Sequence, residues 1–305
     1  MNKKCDTVSV YSVDSLWRSH SAAGAPRATT ILSVVRVDSK ECRTFPLIIC
    51  NHEVNVGYVT LSVGAYTASI QKHSEALAEL ASNTFERPIE HCPGWTVEDL
   101  MRHLIETHWF WSTIVERQLS APPDEGRPTD IATDDVVQRF IDGATHLVDV
   151  LDRARQSDHV WTWAPLQKDV AFITRHQVQE VAVHHWDIAH AAGEKIDIEG
   201  EVANDAIEEF LSFSVSSWSD PADPPRAPLA GTLGLWCEDL NTGWSVHDGR
   251  ARGTVTFCSG VETDVPTLSA SSSDILLWLY SRVDIHGDPV ANALGRRLRA
   301  LSFTS

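Results

Sequence analysis

The chain has 305 residues, 43% of them apolar, which is enough to bury a sizeable core and to form two domains. Its formal net charge is −17, and residues 1–60 carry seven Lys/Arg against five acids, so the remainder stands at −19. An acidic body of that kind repels phosphate backbones and anionic membranes, which excludes nucleic acid and lipid surfaces as expected partners and leaves a small-molecule substrate.

The six cysteines (Cys5, Cys42, Cys50, Cys92, Cys237 and Cys258) are scattered and form no C-x-x-C pair. That argues against a zinc ribbon or a disulfide framework and fits a reducing, cytoplasmic compartment. The apolar runs around Ile31–Val35 and Pro46–Cys50 are too short to span a membrane, and no signal peptide opens the chain. A monomer is expected.

Residues 1–62 lack a sustained helical period and hold one of the eleven tryptophans. They are expected to be a poorly ordered, dispensable extension, with Val59 or Val63 as candidate alternative starts. From Tyr66 a helical stripe of Ile70, His73, Leu77, Leu80 and Ala81 predicts the first helix. A Pro/Gly loop around Cys92 leads to Thr96, whose hydroxyl can cap a second helix over about 97–119, with Asp99 as the acidic partner. His103 sits on this helix between Leu100 and Leu104. A third helix begins at Thr133 or Asp134 and ends near Gln156, and a fourth covers Val170–Ala192, stopped by Gly193. Four such helices with short to moderate loops read as a bundle.

The fourth helix carries more ionisable side chains than an enclosed helix normally holds. With Glu180 at 0°, His176 falls at about −40°, His184 at about +40° and Asp187 at about −20°, one narrow stripe on an otherwise largely apolar cylinder. Glu180 and His184, four apart, have Cβ atoms about 5–6 Å from each other and can reach one divalent ion. The bland alternative is a hydrogen-bonded Glu/His pair or a satisfied core histidine. A catalytic zinc takes three protein ligands and keeps one position open. His103 is the favoured third ligand, with His108, His176, His185 and His190 as competitors, because the pattern fixes faces but not distances.

A further helix over about 200–218 runs into the proline-rich stretch 220–228, which predicts a linker over 221–230 between a helical domain (63–220) and a small α+β domain (231–305). In the latter, Gly231–Cys237, Gly243–His247 and Gly253–Phe257 read as strands separated by turn signals. Ser272 or Ser273 is expected to cap a helix over 274–282, and a last helix covers 290–301.

The run CPGWTVEDLMRHL (Cys92–Leu104), with RHQVQEVAVHHWDIAHAAG (Arg175–Gly193), resembles the N-terminal domain of the mycothiol-dependent maleylpyruvate isomerase family, itself similar to DinB/YfiT-like metal-binding bundles. The strands and DILLWLYSRVDIHGDP (Asp274–Pro289) resemble that family's small, sterol-carrier-like C-terminal α/β domain. The resemblance covers about Tyr66 to Ser305. It implies a four-helix DinB-like bundle followed by the small α/β domain, with His103, Glu180 and His184 as the ligands of zinc or another divalent metal and mycothiol as the thiol cofactor. It further implies a role for Asp187, of the Trp186-Asp187 pair, in orienting a ligand or capping a buried polar network. Where the family commonly has Gly before an arginine, this chain has Ser281-Arg282. Arg282 is then a candidate for gripping a substrate carboxylate, against the alternative of a solvated helix-terminal charge. The implied activity is cis-trans isomerisation or thiol transfer. A non-catalytic metal- or thiol-binding protein and a metal-dependent hydrolase are the other two readings, since all three share one ligand set.

Overall fold

The computed structural model describes residues 61–164, 167–215 and 226–302. The expected extension up to residue 60, the predicted end of the fifth helix at Trp218 and the first half of the proline-rich linker lie outside the described residues. The fold is a set of helices followed by a four-stranded sheet with two further helices. No helix of the described residues is long and apolar enough to cross a membrane.

Helix α1 (Val63–Ala81) is capped by Ser62, whose hydroxyl accepts the Ala65 N–H at 3.2 Å. The first described residues therefore already serve this helix. Helix α2 (Val97–Glu116) opens on the expected capping box: Asp99 N–H donates to Thr96 Oγ1, and Thr96 N–H donates to Asp99 Oδ2 at 2.9 Å. A 3-10 turn at Thr133–Asp135 leads into α3 (Val136–Arg153). Helix α4 (Val170–Ala192) is capped by Asp169 and closed by Gly193 at φ +82°, where a left-handed backbone favours glycine. Of its 23 residues only His190 is exposed, so α4 is walled in by its neighbours along almost its whole length.

Helix α5 (Gly200–Glu209) passes into a π-helical turn, Phe210–Ser214. The sheet has the order β3-β2-β1-β4, with β2 (Thr242–Asp248) antiparallel to both β1 (Thr232–Cys237) and β3 (Val255–Ser259). Strand β4 (Thr267–Ala270), parallel to β1, is not anticipated by the sequence reading. Helix α6 (Ser272–Leu279) is capped by Ser271, not by Ser272 or Ser273. The reason is that Ser272 Oγ donates to Asp239 Oδ2 at 2.6 Å and Ser273 Oγ accepts the Ile198 N–H at 3.0 Å. Helix α7 (Pro289–Leu301) has Asp288 as its cap and proline in its first turn.

One buried apolar cluster runs from Tyr66, Phe110 and Phe172 through Ile207 and Phe210 into Leu233, Val246, Ile275 and Trp278. Helices and sheet thus share a core. Helix α6 packs against both α5 and the sheet, and this contact brings the residues that follow it to the flank of α4.

Candidate metal centre

Helices α2 and α4 face each other across His103, Glu180 and His184. His103 Nε2 lies 3.0 Å and His184 Nε2 3.7 Å from the same Glu180 Oε1, and one ligand atom from each residue falls within 4.8 Å of the others. The two imidazoles stand edge to face, 5.6 Å between centroids, so their Nε2 atoms converge without stacking. His103 and His184 are buried, and Glu180 keeps 22% of its side chain exposed.

The orientation of His184 is fixed from behind. Its Nδ1 meets Asp187 Oδ2 at 3.0 Å, which commits that nitrogen to the carboxylate and leaves Nε2 facing Glu180. Asp187 is held in turn by Arg282, whose Nε donates to Oδ1 at 3.1 Å and whose Nη2 donates to Oδ2 at 2.9 Å, a two-point grip. Arg282 Nη1 donates to the Tyr280 carbonyl at 2.8 Å. The arginine enters the helical part because α6 ends in a Schellman turn: Ser281, at φ +63°, donates its N–H to Trp278 O, and Arg282 N–H donates to Leu277 O. Arg282 is therefore not a solvated helix-terminal charge. Its side chain is 2% exposed and its fork is occupied by Asp187.

Electrostatics keep both carboxylates ionised. Burial works against the charge of Glu180, but the His103 hydrogen bond and the neighbouring imidazoles outweigh it and hold this carboxyl well below the usual range. Asp187 behaves likewise, with burial overcome chiefly by the Arg282 charge. Cys92 lies against the same group, 3.9 Å from Arg282 Nη2, and burial followed by the Asp187 charge pushes its thiol up to about 12. It stays protonated at neutral pH.

The competing histidines go elsewhere. His176 shares the α4 stripe but gives Nδ1 to Glu209 Oε1 on α5 at 3.0 Å. His185 Nδ1 faces His73 Nδ1 at 3.0 Å, and His190 pairs with Glu90 near the surface. His108 is fully buried, with no hydrogen-bond partner for either ring nitrogen among the described residues. Sequence reasoning missed a polar wall beside the centre: Gln179 donates to Glu209 and accepts from the Tyr280 hydroxyl at 2.9 Å. Gln179 precedes Glu180 and Tyr280 precedes Ser281-Arg282, so adjacency to the stripe and to the arginine was the available signal.

Two imidazole nitrogens and one ionised carboxylate oxygen, converging from facing helices with one imidazole oriented by a carboxylate behind it, fit a divalent ion of the zinc class. Residues 66–189 match the family model described as the mycothiol maleylpyruvate isomerase N-terminal domain. The likeness to this family is carried by that segment. It contains His103, Glu180, His184 and Asp187, whereas Arg282 lies beyond it. Two solved structures share the fold over 75% of this chain and 93% of theirs. One is a mycothiol-dependent maleylpyruvate isomerase, 14% identical with a TM-score of 0.51, and the other a histidine-to-alanine mutant of such an isomerase, 12% identical with a TM-score of 0.50. At these identities the likeness to the isomerase is one of fold. A search of curated proteins gave no match.

Proposed function

We propose that the chain is a zinc- and mycothiol-dependent enzyme of the maleylpyruvate isomerase family, catalysing cis-trans isomerisation or transfer of the thiol to an electrophile. The observation that carries this reading is the convergence of His103 Nε2, Glu180 Oε1 and His184 Nε2, backed by Asp187 and Arg282. Three ligands leave a zinc coordination position free, and a thiol bound there would be a thiolate at neutral pH. The nucleophile then belongs to the cofactor. We further infer that α1–α4 correspond to the DinB-like four-helix bundle and that the sheet with α6 and α7 corresponds to the sterol-carrier-like second domain.

In this reading each residue of the chain has a separate task. His103, Glu180 and His184 hold the ion; Asp187 keeps the Nδ1 proton of His184 so that Nε2 presents its lone pair. Arg282 is a positioning residue: with its fork on Asp187, it keeps that carboxylate ionised and aimed, and the grip on a substrate carboxylate expected from the sequence gives way to this task. Tyr280, Gln179 and Glu209 form a hydrogen-bonded wall beside the centre that keeps bulk water from the buried side of α4.

The test is turnover of maleylpyruvate and of a generic electrophile by zinc-loaded protein, with and without mycothiol. Turnover that requires the thiol is the expected result. Equal turnover without thiol would favour a hydrolase-like use of the same ligands, and no turnover with mycothiol demonstrably bound would favour a non-catalytic binder.

A further inference from the structure

The sheet carries a second convergence of metal-ligating atoms, remote in sequence from the helical centre. In the cross-strand register Thr232 faces His247 and Ser245 faces Cys258, so all four side chains stand on the same side of the sheet. The other side carries Leu233, Trp244, Val246 and Val255, which enter the core. After β3 the chain turns at Gly260, φ +88°, and Ser245 Oγ donates to Gly260 O at 3.0 Å while accepting the Glu262 N–H at 2.8 Å. This pins the turn over the polar face and returns Glu262 to His247.

His247 Nε2 then lies 3.5 Å from Cys258 Sγ and 3.2 Å from Glu262 Oε1, with the three ligand atoms within 4.8 Å of one another. Its other nitrogen, Nδ1, is 3.2 Å from Thr232 Oγ1. If Nδ1–H donates to the threonine hydroxyl, Nε2 presents its lone pair on the side of the thiol and the carboxylate. A surface ion pair would account for Glu262 alone. The sulfur approaches the same nitrogen, and one shared ion accounts for both approaches. A tetrahedral zinc, with bonds of about 2.0–2.1 Å to nitrogen and oxygen and about 2.3 Å to sulfur, separates N from S by about 3.5 Å and N from O by about 3.3 Å. The observed spacings match both.

We propose that His247, Cys258 and Glu262 form a second site for a divalent ion of the zinc class, clamping the edge strand β3 and its following turn to β2. On binding, the sulfur–metal bond forms and the Cys258 proton passes to solvent. With 27% and 36% of the His247 and Glu262 side chains exposed, the site is open to the ion and to a further ligand from water.

Cobalt(II) distinguishes this site from the helical one because only a thiolate ligand gives a near-ultraviolet sulfur-to-cobalt charge-transfer band. Full-length protein loaded with Co²⁺ and desalted is expected to show that band. Cys258→Ala should abolish it and lower the metal content by about one equivalent, whereas His184→Ala should remove a different equivalent and leave the band, and Cys92→Ala should leave both. Thr232→Val, which keeps all three ligands, should weaken Co²⁺ binding at this site about tenfold by freeing the imidazole. The absence of the band in wild type, its persistence in Cys258→Ala, or unchanged affinity in Thr232→Val would overturn the proposal. The helical centre is read separately, from the equivalent lost in His184→Ala.

Discussion

Ser281 occupies a left-handed conformation that costs an L-residue roughly 1–2 kcal/mol, and it does so because the Schellman turn at the end of α6 requires φ > 0 there. Glycine relieves that cost at the expense of a more flexible unfolded chain. Ser281→Gly is therefore expected to raise the thermal unfolding midpoint, by an amount corresponding to up to about 1 kcal/mol, with metal content unchanged; a lower midpoint in calorimetry would contradict this role. Asp187 is the more sensitive position, since it joins Arg282 to His184. Asp187→Asn removes the counter-charge of a buried guanidinium, at a cost of about 3–5 kcal/mol, and loosens the orientation of His184, weakening metal affinity about 10–100-fold. Denaturant melts and a competitive chelator titration measure the two effects separately. The carboxyl of Asp187 is held well below its usual range, so the stability it contributes is present above the unfolded carboxyl pKa, about 3.9, and is lost as pH falls below it.

At the scale of elements, α2 carries a liability in His108, packed on Phe140 with a ring-centroid distance of 5.3 Å. Burial pushes this imidazole down to about 4, whereas the unfolded chain takes up the proton near pH 6.5. The unfolded state binds more protons between those values, so stability falls as pH drops through that window, by as much as about 3 kcal/mol from this residue. His108→Leu should flatten the loss; a urea midpoint that falls equally steeply from pH 6.5 to 4 in both proteins would contradict it. His185, also pushed down to about 4 by burial and by His73, keeps part of the slope. The helices themselves were largely legible. Thr96 and Asp99 mark the start of α2, and Gly193 marks the end of α4, because caps and breakers act locally. Strand β4 was not, since four residues after Pro266 pair in parallel with a strand far back in the chain. His176 shows the same limit within a helix. Its angle on α4 was readable, but whether it turned to Glu180 or to Glu209 depended on where α5 lies.

For the whole molecule, the link between helices and sheet is polar as well as apolar. Tyr280 reaches Gln179 and Arg282 reaches Asp187, so the loop after α6 is tied to both flanks of the stripe that carries Glu180 and His184. The order of helices and strands was legible in the switch of hydrophobic period, yet this tie was not, because an arginine at a helix end reads equally as solvated or inward-facing. The helical centre then depends on the sheet half: Arg282→Ala should weaken metal binding although it removes no ligand, and chelator titration with unchanged affinity would detach the two halves. Whether the helical centre holds an ion is read from the metal content of purified wild type and His184→Ala by elemental analysis, with folding checked by circular dichroism. Wild type should exceed the folded variant by one zinc equivalent per chain; equal zinc in the two would contradict the centre at His103, Glu180 and His184.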